Sequence, residues 1–85
     1  MEIKIEVPNY SESNGIKYNW ENGFEIETKF ENGVISIIAN KEGLISLANH
    51  LLNLAQTEVP SGYDLHFDEY NSLEENSLEL IIQKK

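Results

Sequence analysis

Apolar and polar residues alternate along much of the chain. Ile3, Ile5 and Val7 are separated by charged residues, and Pro8 follows them. Because successive side chains of a β-strand point to opposite faces, this alternation predicts a half-buried strand that ends at the proline. Similar alternating or apolar-rich stretches predict five more strands, over 16–20, 24–30, 34–39, 63–67 and 78–82.

Two Asn-Gly pairs, Asn22-Gly23 and Asn32-Gly33, separate the second, third and fourth predicted strands. Asn-Gly between alternating segments is the strongest short hairpin signal, because both residues tolerate a positive φ. The sequence therefore predicts a three-stranded meander. Its last strand carries apolar residues on both faces, so we expect it to lie near the centre of the sheet.

An amphipathic helix is predicted after Asn40, which can cap its first turn. Polar residues should take the solvent side, and apolar residues at the i, i+3, i+4 spacing should pack across the sheet. The predicted polar residues are Ser46, Asn49, His50 and Asn53. The predicted apolar residues are Leu44, Leu47, Ala48, Leu51, Leu54 and Ala55.

These elements follow the order β-β-β-β-α-β-β, which predicts an α+β fold: a mostly antiparallel sheet of about six strands with one helix packed on one face. At 85 residues, the chain has room for one hydrophobic core, so we expect residues 1–85 to form a single domain. The other sheet face stays uncovered. Strand alternation places Glu25 and Glu27 there beside Ile35 and Ile37, a mixed patch that suits a partner or a second copy.

Charge restricts the class of partner. The chain has 15 Asp and Glu against 6 Lys, no Arg, and a net charge of −9. Nucleic acids and anionic membranes bind clustered positive charge, so we expect neither as a partner, whereas a basic protein fits. There is no Cys for a disulfide, and the N-terminal residues alternate instead of forming an apolar signal segment. We therefore expect a cytoplasmic protein.

One group of residues invites a chemical role. Asp64, His66 and Asp68 alternate along a predicted strand. A histidine between carboxylates could hold a metal or activate water, but stable metal sites need more ligands and no catalytic motif occurs. We expect a partner-binding surface without metal, cofactor or catalysis. Its predicted residues are Asp64, His66, Asp68, Glu69, Tyr70, Glu74 and Glu75.

Residues 42–82 contain three runs that are typical of one known family: Gly43-Leu44-Ile45-Ser46-Leu47-Ala48, His66-Phe67-Asp68-Glu69-Tyr70-Asn71-Ser72-Leu73-Glu74 and Ser77-Leu78-Glu79-Leu80-Ile81-Ile82. In these runs the second half of the chain resembles the immunity protein 32 family of bacterial polymorphic toxin systems. The resemblance implies a small cytoplasmic protein that binds a cognate toxin and blocks it without chemistry. From the acidic charge of the chain we further expect the toxin to be basic. It could be a nuclease whose phosphate-binding site is occupied by carboxylates of this protein.

Two other hypotheses stay open on sequence alone. In the first, the protein is a structural or regulatory module that forms a homodimer through the uncovered sheet face, as its isoleucines suggest. In the second, it is a metal-dependent enzyme that uses His66 and Asp68. The toxin-binding hypothesis is preferred because charge, the missing catalytic motifs and the family resemblance agree on it.

Overall fold

The computed structural model describes residues 1–85. In chain order its elements are β1 (Ile26–Glu31), β2 (Val34–Ala39), α1 (Lys41–Leu54), β3 (Asp64–Phe67) and β4 (Leu80–Gln83). β1 pairs with β2 and β3 pairs with β4, both antiparallel, which gives two two-stranded sheets. The α+β class is confirmed. The predicted order β-β-β-β-α-β-β and the single six-stranded sheet are not what the chain forms.

The turn at Asn32-Gly33 forms the predicted hairpin. Asn32 has a φ of 51° and Gly33 a φ of 78°. Two positive φ values define a type I′ turn, whose twist matches that of the strands it joins. Glu31 is therefore paired with Val34 across the turn, and this register holds along both strands.

β2 lies at an edge of its sheet and not at the centre, which corrects the prediction. Its only paired neighbour is β1. Val34, Ile35, Ile37 and Ile38 are 59%, 74%, 45% and 47% exposed, so both faces of the strand are open to solvent. Apolar residues on both faces usually indicate a strand that is covered on both sides, but the faces of β2 are both exposed.

The outer edge of β1, in contrast, is covered by residues 74–78. The Glu74 N–H donates to the Ile26 carbonyl at 2.8 Å, and the Leu78 N–H donates to the Thr28 carbonyl at 3.3 Å. The Thr28 N–H donates to the Ser77 hydroxyl at 3.2 Å, and the Thr28 hydroxyl donates to the Leu78 carbonyl. Irregular backbone therefore satisfies this edge, and it links the two sheets.

The first 24 residues do not form the two strands predicted for them. Their only pairing is an isolated bridge between Ser11 and Gly15. Side chains from the rest of the chain satisfy their backbone instead: the Tyr10 N–H donates to the Gln56 amide oxygen at 3.0 Å, and the Ile16 N–H donates to the Tyr63 hydroxyl at 3.2 Å. Alternation alone does not specify a pairing strand.

One hydrophobic core connects the helix, the strands and the loops. Its buried members are Ile16, Ile26, Leu47, Leu54, Val59, Leu65, Phe67 and Leu73. An aromatic cluster adjoins it, in which the ring centroid of His50 lies 4.4 Å from that of Trp20 and 5.0 Å from that of Tyr18. Trp20 is also 4.4 Å from Phe24, stacked nearly parallel.

α1 turns its polar side inward, the reverse of the predicted orientation. Asn40 caps it as expected, since its side-chain oxygen accepts the Gly43 N–H at 2.8 Å. However, the four predicted solvent-side residues Ser46, Asn49, His50 and Asn53 are all buried. Of the predicted apolar face, only Leu47 and Leu54 are buried; Leu44 and Leu51 are exposed, and so is the neighbouring Leu52.

Hydrogen bonds to the N-terminal segment explain this orientation. The Ser46 hydroxyl accepts the Glu21 N–H and donates to the Glu42 carbonyl, each at 2.8 Å. The Asn49 amide donates to the Glu6 carbonyl at 3.2 Å. Leaving a buried backbone group without a partner costs about 1–3 kcal/mol. Ser46 and Asn49 therefore face the segment whose backbone they satisfy.

Candidate partner-binding surface

β3 presents alternate residues to solvent. Leu65 and Phe67 are buried, whereas Asp64 and His66 are exposed. The antiparallel register sets His66 opposite Ile81 of β4, so that isoleucine shares the outer face. The predicted alternation of Asp64 and His66 is therefore present. Their contact with a partner stays a prediction.

His66 lies between two carboxylates. Its Nε2 atom is 3.2 Å from an oxygen of Glu79 and 3.9 Å from an oxygen of Asp68. These contacts become ion pairs when the imidazole is protonated. Asp68 was an expected neighbour, but Glu79 was missed because its position depends on the β3–β4 register. Its place near the start of the last predicted strand, 78–82, was the available signal, since an antiparallel return brings that end next to the end of β3.

Asp68 shapes the β3–β4 loop, residues 68–79. Its carboxylate accepts the N–H groups of Tyr70 at 2.9 Å and of Asn71 at 3.1 Å. The side chain of Asn71 returns two bonds: its oxygen accepts the Asp68 N–H, and its nitrogen donates to the His66 carbonyl, both at 3.1 Å. A substitution at Asp68 would therefore change the shape of the loop as well as its charge.

Glu69 and Tyr70, which follow Asp68, differ in their contacts and exposure. The Glu69 carboxylate accepts the N–H of Asn76 at 2.8 Å, and Asn76 has a φ of 71°. Glu69 thus stabilises a residue in the left-handed region, which costs a non-glycine residue some strain. Tyr70 is 90% exposed and does not pack back over the sheet. An exposed aromatic side chain on a well-fixed loop suits a contact with another protein.

Glu74 joins a second group of acidic residues. With Glu25, Glu27 and Ile38, it lines a shallow groove of about 130 Å³. The hydrogen bond from its N–H to the Ile26 carbonyl fixes it at this place. The structure therefore brings Glu74, from the first predicted interface, together with Glu25 and Glu27, from the second. These three carboxylate residues border the groove with the apolar Ile38.

Ile35 and Ile37 are not part of that group, which corrects the predicted mixed patch. Because the two-residue turn pairs Glu31 with Val34, Ile37 pairs with Thr28, whereas Glu27 pairs with Ile38. Paired residues of antiparallel strands share a face. Ile35 and Ile37 therefore lie on one side of the hairpin, and Glu27 lies on the other. The sequence pattern was right within each strand and wrong across the turn.

We name the outer face of β3 and the β3–β4 loop the acidic surface. Its residues are Asp64, His66, Asp68, Glu69, Tyr70, Glu74, Glu75 and Glu79. No Lys or Arg lies between residues 42 and 83, so no such residue neutralises these carboxylates from within that stretch. No group of three or more His, Asp or Glu is arranged to hold a metal ion. The surface offers negative charge, hydrogen-bond acceptors and one exposed aromatic ring.

Burial shifts the pKa of two side chains near this surface, His50 and Tyr18. It lowers the pKa of His50 from 6.5 to about 4, and neither ring nitrogen has a hydrogen-bond partner. His50 is therefore uncharged at neutral pH and belongs to the core. Burial also raises the pKa of Tyr18, with smaller contributions from Tyr63 and Asp64. Asp64 is thus close enough to Tyr18 for its charge to matter.

The 14-residue α1 is too short and too polar to cross a membrane.

In the comparison with known families, the family model for Immunity protein 32 matches residues 34–85. That range is more than half of the chain and contains β2, α1, β3, the β3–β4 loop and β4. The chain belongs to the Immunity protein 32 family. The family predicted from sequence is confirmed, while β1 and the N-terminal segment lie outside the match. No curated protein and no solved structure matches this immunity protein.

Proposed function

We propose that this immunity protein binds a cognate toxin of a bacterial polymorphic toxin system and neutralises it in the cytoplasm, without catalysing a reaction. Membership of the Immunity protein 32 family carries this proposal, because an immunity protein implies a toxin partner in general. The acidic surface supports binding as the mode of action, since it offers charge and contact area instead of a nucleophile or an activated water.

The charge of the surface points to a basic toxin. The chain carries a net charge of −9, and the exposed residues Asp64, Glu75 and Glu79 point carboxylates into solvent. Opposite charges accelerate the encounter of two proteins and exclude partners of like charge. A nuclease fits this description, because its active site binds phosphates and carboxylates can occupy the same positions.

The loop supplies the features that a tight contact needs. Asp68 and Asn71 hold the backbone in one shape before the partner arrives, which reduces the entropy lost on binding. Tyr70 stands at the exposed part of this loop, and tyrosine is one of the residue types that most often dominate binding energy. Tyr70 is therefore the proposed anchor, and the surrounding carboxylates provide steering and specificity.

Glu74 extends the proposed interface toward the hairpin. Through its groove with Glu25, Glu27 and Ile38, a partner that contacts the loop also reaches an apolar side chain bordered by carboxylates. A lysine or arginine of the toxin fits there, because its aliphatic stem can lie on Ile38 while its charged head meets a carboxylate.

Co-expression tests the function. A toxin gene is expected beside the immunity gene, so the polypeptide encoded immediately upstream is expressed from an inducible promoter, with and without this protein. We expect growth to stop when the upstream polypeptide is induced alone and to be restored when this protein is present, with the two chains purifying together. A control expresses an unrelated acidic protein of similar size. Toxicity that persists with no complex formed would reject the proposal for this pair.

A further inference from the structure

The exposed side of α1 is an apolar feature that the proposed function leaves unused. Leu44, Leu51 and Leu52 are 55%, 45% and 48% exposed on it. Ser46 and Asn49, on the inward side of the helix, are occupied by hydrogen bonds to other parts of the chain. The helix cannot rotate to bury its leucines without breaking those bonds, so the apolar side stays available to another molecule.

The spacing of this side is that of a helix-pairing seam. Leu44, Ala48, Leu51 and Ala55 follow one another at intervals of four, three and four residues. This is the repeat that keeps one stripe of side chains facing a second helix. Large and small residues alternate along it, so a leucine of one helix can fill the space above an alanine of the other.

The stripe is also free of charge in a strongly charged chain. No Asp, Glu or Lys occurs between Glu42 and Glu58. Two copies that each carry a charge of −9 repel one another, and the repulsion is weakest where neither copy presents charge nearby. A basic partner gains nothing from such a stripe, whereas a second copy of this chain can approach through it.

We infer that two copies of this protein associate through α1, packed antiparallel along the Leu44–Ala55 stripe. A two-fold register that sets Leu44 against Ala55 of the second copy also sets Ala48 against Leu51. Each layer therefore pairs a large with a small residue.

The expected dimer is weak. A 14-residue helix is about 21 Å long, and one helix pair of this length buries an area near the lower end of specific interfaces. We therefore expect a dissociation constant in the micromolar range, on the order of 10–100 µM. Salt strengthens the dimer because it screens the repulsion between the two acidic chains.

Sedimentation equilibrium of the full chain, from about 5 to about 500 µM, measures this association. We expect the wild type to shift from monomer to dimer in that range. Leu51→Lys places a charge in the stripe and should raise the dissociation constant at least about tenfold. Ile35→Lys, an equal change at an exposed isoleucine of β2, should leave it unchanged. A wild type that stays monomeric, or a dimer lost in Ile35→Lys but kept in Leu51→Lys, would overturn the inference.

Circular dichroism of Leu51→Lys and Ile35→Lys confirms that α1 is retained in both variants.

Discussion

The two sides of α1 contrast in a way that reverses the usual rule for a surface helix. The inward side carries Ser46, Asn49, His50 and Asn53 together with Leu47 and Leu54, and the outward side carries the exposed Leu44, Leu51 and Leu52. Two of the inward polar residues, Ser46 and Asn49, bond to the N-terminal segment, which has no strand partner of its own. The orientation of the helix is therefore determined by hydrogen bonds that a neighbouring segment requires, and apolar area alone does not determine it.

The largest expected effect concerns His50 in acid. Its pKa in the folded state is about 4 and its unfolded value is 6.5. Above pH 6.5 both states are neutral and stability does not change with this group. As the pH falls from 6.5 to 4, only the unfolded state binds the proton, so the folded state loses about 3 kcal/mol.

His50→Leu should remove that loss. Urea unfolding followed by the fluorescence of the single Trp20 gives the free energy of unfolding at pH 7 and at pH 4. At pH 7 the variant should be as stable as the wild type or more so, because the two unpaired nitrogens disappear. Equal loss of stability in both proteins on acidification would show that His50 is not buried.

A smaller effect is expected at Gly43, where the inward side of α1 lies close to β1. A Cβ atom there would lie 2.5 Å from the Glu25 carbonyl oxygen and 2.9 Å from Ile26. Gly43→Ala should therefore destabilise the protein by about 2 kcal/mol, although alanine normally favours a helix by about 1 kcal/mol. Thermal unfolding measures the change. An increase in melting temperature would mean that α1 does not pack in this orientation.

Ser46→Ala should cost about 1 kcal/mol, because the Glu21 N–H loses its acceptor. Hydrogen exchange of the Glu21 amide, measured by NMR, should accelerate in the variant. Ser61→Ala is a suitable control, since Ser61 is exposed in a turn. Unchanged exchange at Glu21 would show that the N-terminal segment is not held by the helix.

The smallest effect is expected on the outward side. Leu44→Gln, measured at a concentration where the protein is monomeric, should change the free energy of unfolding by less than about 0.5 kcal/mol. The matched change on the inward side, Leu47→Gln, should cost several times more, because Leu47 is buried. If the two variants were equally destabilised, the contrast between the two sides would fail.

Local signals in the sequence predicted the α+β class, one turn and the helix cap, but they did not predict how distant segments pair. The Asn32-Gly33 turn and the Asn40 cap have short-range causes, and both occur as predicted. The strands predicted over 3–7 and 16–20 fail because alternation does not identify a partner strand. The helix orientation fails for the same reason, since the need for polar side chains arises from a segment more than 20 residues away.

The candidate site was also predictable only where local sequence signals determine it. Alternation placed Asp64 and His66 on one face of β3, and the family resemblance singled out the loop that follows. Glu79, and the meeting of Glu74 with Glu25 and Glu27, depend on how β4 and residues 74–78 return along other strands. Such returns are set by tertiary contacts, which composition and periodicity do not contain.

Calorimetry with the purified toxin tests most directly that the acidic surface binds it. Wild type is compared with a variant in which Glu74, Glu75 and Glu79 are replaced by Gln, and with Leu51→Lys as a control on α1. We predict that the Gln variant binds at least about tenfold more weakly and that its affinity depends less on salt, while the control binds like the wild type. Wild-type affinity and salt dependence in the Gln variant would contradict the account.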